Sequence, residues 1–329
     1  MDLTPTAAAI ELDGVRKQYP DGTVAVGGLS LSIGAGELMV LIGPSGCGKS
    51  TVLRMINRLI EPTGGRIVID GDDVTQADPV DLRRRIGYVI QNVGLFPHQT
   101  IRANVGTVPR LLGWPRARIR ARTDELLDLV GLDPGTFGDR YPQELSGGQR
   151  QRIGVARALA ADPVVLLMDE PFSAVDPIVR SRLQEEFLRL QADVRKTIVL
   201  VTHDLDEAVR LGDRIAVLSQ GGKLEQCADP AELLGQPASP FVREFVGPDR
   251  GIRRLAVTPI GREMLVAPPE GDGIDGYPEA ELGSSLYDAL AMMLTANSDY
   301  ARVSEDGKVV GLLTRHRILS IDYPADTSS

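Results

Sequence analysis

Residues 37–42 form a short apolar run that ends in a glycine-rich stretch, 43–49. Val52, Leu53, Ile56, Leu59 and Ile60 then recur at the spacing of one helical face. The pattern predicts a strand, a glycine loop and a helix. Two further apolar runs, 164–168 and 197–202, each end in polar residues, where a parallel strand reaches its ligand-binding edge. Strand-like and helix-like segments alternate from about Ile10 to Val246, which predicts an α/β layered domain. Between Gln91 and Tyr141 the pattern changes to arginine-rich helical stretches, notably 116–130, and predicts a helical insert at about 92–160. Beyond Pro237 the punctuation of Pro240, Gly247, Pro248 and Gly251 reads as a linker, centred on 247–251. From Ile252 a second, smaller module follows: a helical pattern over 285–294, strands at 300–303 and 309–314, and an Asp306-Gly307 turn between them.

A length of 329 residues agrees with about two domains. Apolar residues at 43% and charged residues at 25% disfavour wholesale disorder and collagen-like or disulfide-scaffold classes. No apolar run approaches the roughly 20 residues a spanning helix needs. Residues 1–10 lack a basic segment followed by an apolar stretch, so no secretory leader is expected. The two cysteines, Cys47 and Cys227, fit a reducing compartment and are too few for a metal cluster, which makes the cytoplasm the expected location. A net charge of −9 argues against a nucleic-acid partner, and residues 251–329, with 7 basic and 12 acidic side chains, against an anion-adhering arm.

Gly43, Pro44, Ser45, Gly46, Cys47, Gly48, Lys49 and Ser50 have the spacing of a phosphate-binding loop, with Thr51 next in the helix. Glycines let several backbone N–H groups face the phosphates, and the helix adds its positive end. Lys49 supplies a cation for the β- and γ-phosphates, Ser50 a hydroxyl for Mg²⁺. A plain glycine turn is the alternative, and the flanking strand and helix disfavour it. Cys47 reads as a passive filler of the loop. The run at 164–168 ends in Asp169 and Glu170, which divide the labour: Asp169 for the Mg²⁺ shell, Glu170 to polarise an attacking water. Leu145, Ser146, Gly147, Gly148 and Gln149 precede a good helix former, 150–161, with Ser146 as N-cap. That is a second phosphate-seeking surface, although an ordinary capped helix would look the same.

The loop, the 145–149 signature, Asp169-Glu170 and His203 stand in the order seen in ATP-binding cassette (ABC) ATPases, and the chain resembles that family over residues 8–246. The resemblance implies a P-loop NTPase core with an N-terminal antiparallel β subdomain and the helical insert. It implies ATP and Mg²⁺ as ligands and a head-to-tail dimer in which one copy's loop and the other's signature sandwich each ATP. It makes Tyr19 the aromatic that stacks on adenine, Gln91 the glutamine that senses Mg²⁺ and the γ-phosphate, 173–176 the segment crossing the dimer contact, and His203 the switch histidine. Tyr19 as a simple anchor and His203 as a cap or core residue remain the alternatives.

Phrases such as 61–65 (Glu-Pro-Thr-Gly-Gly) and 168–172 are similar to importer ATPases, and 89–98 (Val-Ile-Gln-Asn-Val-Gly-Leu-Phe-Pro-His) to the glycine betaine, choline and carnitine branch. The implied function is ATP hydrolysis driving import of a compatible solute, proline included. The implied partners are integral permease subunits and, indirectly, an extracytoplasmic solute-binding protein. The chain would then sit peripherally on the inner face of the plasma membrane, with Leu95, Phe96 and Pro97 against a coupling helix or, alternatively, buried in the insert. Another cargo, such as an amino acid or other amine, a soluble cassette ATPase and a regulatory protein that no longer turns over are the competing readings. The module at 252–322 resembles a single degenerate CBS (cystathionine β-synthase) unit, small and α+β. Thr314 at its strand end reads as structural.

Overall fold

The computed structural model describes residues 7–90, 94–173, 175–267 and 276–320. Two compact units divide at Cys227/Ala228. That is earlier than the linker pattern suggests, because helix Pro230–Gly235 packs on helix Arg250–Val257.

In the first unit, strands β1 (Ile10–Gln18) and β2 (Val24–Ile33) alternate buried and exposed positions, the signature of sheets covered on one face. They pair antiparallel, with β4 (Gly64–Ile69) and the short β5 (Asp72–Asp73) completing the order β2-β1-β4-β5. Three other strands are buried at every residue: β3 (Leu38–Ile42), β7 (Val165–Asp169) and β8 (Thr197–Val201). Such unbroken apolar runs suit the middle of a parallel sheet with both faces covered. They lie there, in the order β10-β9-β3-β8-β7-β6, with β6 (Ile86–Val89), β9 (Arg214–Ser219) and β10 (Lys223–Ala228) outside them.

Register fixes what the sheet presents. Leu41 and Asp169 both pair with Val201, so β3, β7 and β8 run out side by side. The ladder continues one step further, as Glu170 N donates to Val201 O (2.9 Å) and Thr202 N to Leu41 O (3.2 Å). Gly43, Glu170 and His203 therefore leave the same edge.

Helix α1 (Lys49–Ile56) follows the loop, and α2 (Pro79–Arg85) leads into β6. The described part of the insert is helical: α3 (Ile101–Val105), α4 (Thr107–Leu111), α5 (Arg116–Leu129), α6 (Pro134–Phe137) and α7 (Gly147–Leu159). Buried Asn104 organises its entry, accepting from Phe96 N and donating to the carbonyls of Phe96, Gln99 and Thr100. Helices α8 (Pro177–Val194) and α9 (Leu205–Leu211) precede β8 and β9.

The second unit carries α10 (Pro230–Gly235), α11 (Pro240–Val246), α12 (Arg250–Val257) and a small sheet. Strand β11 (Glu279–Glu281) pairs parallel with β12 (Tyr300–Glu305), which pairs antiparallel with β13 (Lys308–Thr314). Asp306 and Gly307, both at positive φ, make the two-residue turn that their sequence predicts. Helix α13 (Leu286–Thr295) buries Leu286, Ala289 and Met293 in this unit's core. Thr314 caps the last described helix, α14 (Arg315–Leu319), accepting from Arg317 N.

Candidate active site

The loop after β3 is shaped by what lies behind it. A Cβ on Gly43 would fall 2.1 Å from Leu218 O, and one on Gly48 2.4 Å from Ala25 O, so glycine is required at both. Gly46, at φ +77, has open space where its Cβ would be. Lys49 is buried and donates through Nζ to the carbonyls of Gly43 (2.7 Å) and Pro44 (3.0 Å), with the buried Cys47 Sγ at 3.7 Å. Cys47 thus fills the space under the loop, as its sequence position suggests.

A pocket of about 220 Å³ opens over this loop, lined by Ser45, Gly46, Gly48, Lys49, Ser50, Thr51, Glu170 and Ala25 of the antiparallel sheet. Backbone amides, hydroxyls and one ammonium dominate the lining, a set suited to a polyphosphate. Ser50 Oγ donates to Asp169 Oδ1 at 2.8 Å. Burial pushes the Asp169 carboxyl up, and the Ser50 hydroxyl opposes that shift. A hydroxyl and a carboxylate in contact beside a phosphate cradle make a hard-oxygen pair that fits Mg²⁺, which takes one or two protein ligands and completes its shell with phosphates and water.

Glu170 adopts φ +46, which is strained for a residue with a side chain. Its conformation is held by its own amide on Val201 O and by Ser173, whose N and Oγ both donate to Glu170 O (3.3 and 2.9 Å). The turn aims its carboxylate into the pocket, 3.3 Å from His203 Nδ1.

Ser146 and Gln149 form a reciprocal capping box at the start of α7, Gln149 N donating to Ser146 Oγ and Ser146 N to Gln149 Oε1. Gly147 and Gly148 occupy the first turn, as expected. None of these four lines the pocket, so this chain alone does not bring its two phosphate-seeking surfaces together. Tyr19 sits in the β1–β2 turn, its ring 5.3 Å from the Lys17 ammonium, and does not line the pocket either. Gln91 lies outside the described residues.

Sequence reasoning missed the groups behind His203. Asp204 and Glu207 have the spacing of a capping box, and Asp204 caps α9 through the amides of Asp206 and Glu207. Glu207 departs from the box: its carboxylate accepts from Thr202 Oγ1 at 2.6 Å instead. At 5% exposed, Glu207 is pushed up to about 7 by burial and the nearby Asp204 charge, against Thr202, Arg180 and His203.

That shift has a sign. An ordinary glutamate ionises in the unfolded chain near pH 4.5. Between there and about pH 7 the folded state is progressively disfavoured, so stability present below pH 4.5 is lost as the pH rises through the folded value. Glu207→Gln, which cannot ionise, is expected to exceed the wild type in stability at about pH 8 by up to roughly 3 kcal/mol, shrinking toward pH 5. Urea midpoints at the two pH values check this, and a pH-independent difference would contradict it.

Comparison with known proteins identifies the family. The family model for the ABC transporter matches residues 26–173. The osmoprotectant import ATP-binding protein OsmV of Salmonella typhimurium is 55% identical over 313 residues, covering 93% of this chain and 79% of that protein. The chain belongs to the ABC transporter family. It is an ATP-binding cassette with ATP hydrolysis as its activity. The glycine betaine/carnitine/choline transport ATP-binding protein OpuCA of Bacillus subtilis is 56% identical over 74% of the cassette chain, which spans just under two thirds, 64%, of that relative. Among solved structures, the dimeric post-hydrolysis form of the ATP-binding cassette MJ0796, bound to ADP and Pi, matches with a TM-score of 0.60. It is 35% identical and covers 67% of this chain and 98% of that one.

Proposed function

We propose that this cassette is the ATP-hydrolysing subunit of an importer for a compatible solute, with glycine betaine, choline and carnitine as the favoured cargoes. The observation that carries the reading is the identity of 55–56% to cassettes named for osmoprotectant and for glycine betaine, carnitine and choline transport. The phosphate pocket supplies the chemistry, and Ser50 and Asp169 are the described residues that would hold Mg²⁺, whose charge offsets that of the phosphates.

Hydrolysis follows from the chain's own groups. Lys49 and the loop amides bind the phosphates. Glu170 takes the proton of the attacking water, and His203, in contact with that carboxylate, steadies its orientation. The 146–149 amides, which do not line their own pocket, complete that of a second copy in a head-to-tail dimer. The dimeric assembly of the MJ0796 cassette supports this arrangement. Closure is favoured while ATP bridges the copies and lost after cleavage, which converts binding into motion.

No helix of the described residues is long and apolar enough to cross a membrane. In this reading, work on the solute passes through permease subunits, with the cassette lying peripherally on the inner membrane face; the transport-system names of the relatives support it. Phe96 is exposed, edge-on to His98 at 6.0 Å, beside a half-buried Leu95, and suits a docking helix of such a subunit. Phe96→Asp is expected to abolish uptake and permease capture while basal hydrolysis stays within about twofold. Loss of folding in that variant would show instead that Phe96 serves the insert.

The test of the whole reading is uptake of labelled glycine betaine, choline, carnitine and proline by cells carrying the cassette with its permease, against cells lacking it. Unchanged uptake of all four would reject the cargo class. Residues 252–322 are proposed to serve a regulatory role as a single degenerate CBS-like module.

A further inference from the structure

We infer that Arg180 is a positioning residue of the hydrolysis reaction, tying the segment before α8 to the loop that carries His203. Its guanidinium makes two directed contacts. Nη2 donates to Val175 O at 3.1 Å, and Nη1 meets Asp204 Oδ2 at 3.3 Å. The Arg180 amide donates to Asp176 O at 2.8 Å, which anchors the side chain at the first turn of α8.

His203 is held from both sides. Before it, Thr202 is fixed by its amide on Leu41 O and its hydroxyl on Glu207. After it, Asp204 donates its N–H to Thr202 Oγ1 (3.0 Å), caps α9 and receives Arg180. Of these contacts, the one with Arg180 leads out of the loop toward residue 175. At its other end the same segment bonds to the base, through Ser173 on Glu170 O. Glu170 and His203 also meet, so Ser173 bonds to the base while Arg180 joins Val175 to Asp204, the residue next to the histidine that touches that base.

An ion pair of two partly exposed groups adds little to stability, so stability by itself does not account for this arrangement. Arg180 Nε is buried with no acceptor among the described residues, so the orientation of the guanidinium follows its two Nη acceptors. A planar fork is needed to reach both, and a lysine offers a single point charge. A displacement of the segment is thereby passed to the base directly and to His203 through Arg180. The inference rests on the dimeric reading, in which a second copy presses on that segment.

The test uses the full chain. Steady-state ATPase kinetics are measured for wild type, Arg180→Ala, Arg180→Lys, Asp204→Asn, His203→Ala and the Arg180→Ala/His203→Ala pair. Asp204→Asn keeps the capping oxygen and loses the charge, so it reports on the link even if Arg180→Ala folds poorly. Arg180→Ala and Asp204→Asn are each expected to lower kcat roughly tenfold or more, with KM for ATP within about threefold. Arg180→Lys should recover part of the loss, and the double variant should be no slower than His203→Ala beyond about twofold. Full kcat in both single variants, or losses that multiply in the pair, would overturn the role. ATP-induced dimerisation of Glu170→Gln is followed separately: a persistent monomer rejects the dimeric reading, whereas the kinetic cycle still decides whether Arg180 acts through His203.

Discussion

Replacing Glu170 with Gln lowers steady-state ATP turnover by about two to three orders of magnitude, the range expected for loss of a general base, while ATP binding is kept. The amide is nearly isosteric, so the pocket wall, the turn at φ +46 and the contact with His203 survive, and only the proton acceptor is removed. ATP that cannot be cleaved should also hold two copies together, visible as a doubled mass in light scattering with ATP and Mg²⁺. Turnover undiminished in this variant would remove Glu170 from the reaction.

Lys49→Ala is expected to act one step earlier, weakening ATP binding by at least about a hundredfold, near 2.8 kcal/mol. Two effects add. The phosphates lose a cation in a partly enclosed pocket, and the loop loses the ammonium that joins the Gly43 and Pro44 carbonyls. Equilibrium binding of a fluorescent ATP analogue separates this outcome from that of Glu170→Gln. Unaltered affinity for the analogue would show that the loop amides suffice.

The parts of the molecule legible in its sequence are those where one local rule decides. Largely apolar runs at β3, β7 and β8 mark the central strands, and residues one or two positions beyond them, Gly43, Glu170 and His203, mark the edge that binds. Ser146 as a cap and Asp306-Gly307 as a turn follow from short-range chemistry in the same way. Residues whose role depends on distant partners were not legible. The Asp204 to Glu207 spacing reads as a capping box, but burial beside Thr202 diverts the glutamate, and only the folded chain shows that. Arg180 reads as one more charge on an amphipathic helix until Val175 and Asp204 stand on either side of it. The division between the units escapes the linker pattern for a similar reason: proline and glycine mark where helices stop, not which unit a helix packs against.

The left-handed backbone at Glu170 sets two selective pressures against each other. Glycine or asparagine would relieve roughly 1 kcal/mol of conformational strain there, and neither can take a proton from water. A library screened only for heat resistance should therefore drift toward these residues at position 170 and yield sturdier, idle proteins. Growth that depends on the transported solute should return glutamate at that one place, whatever else the screen has changed.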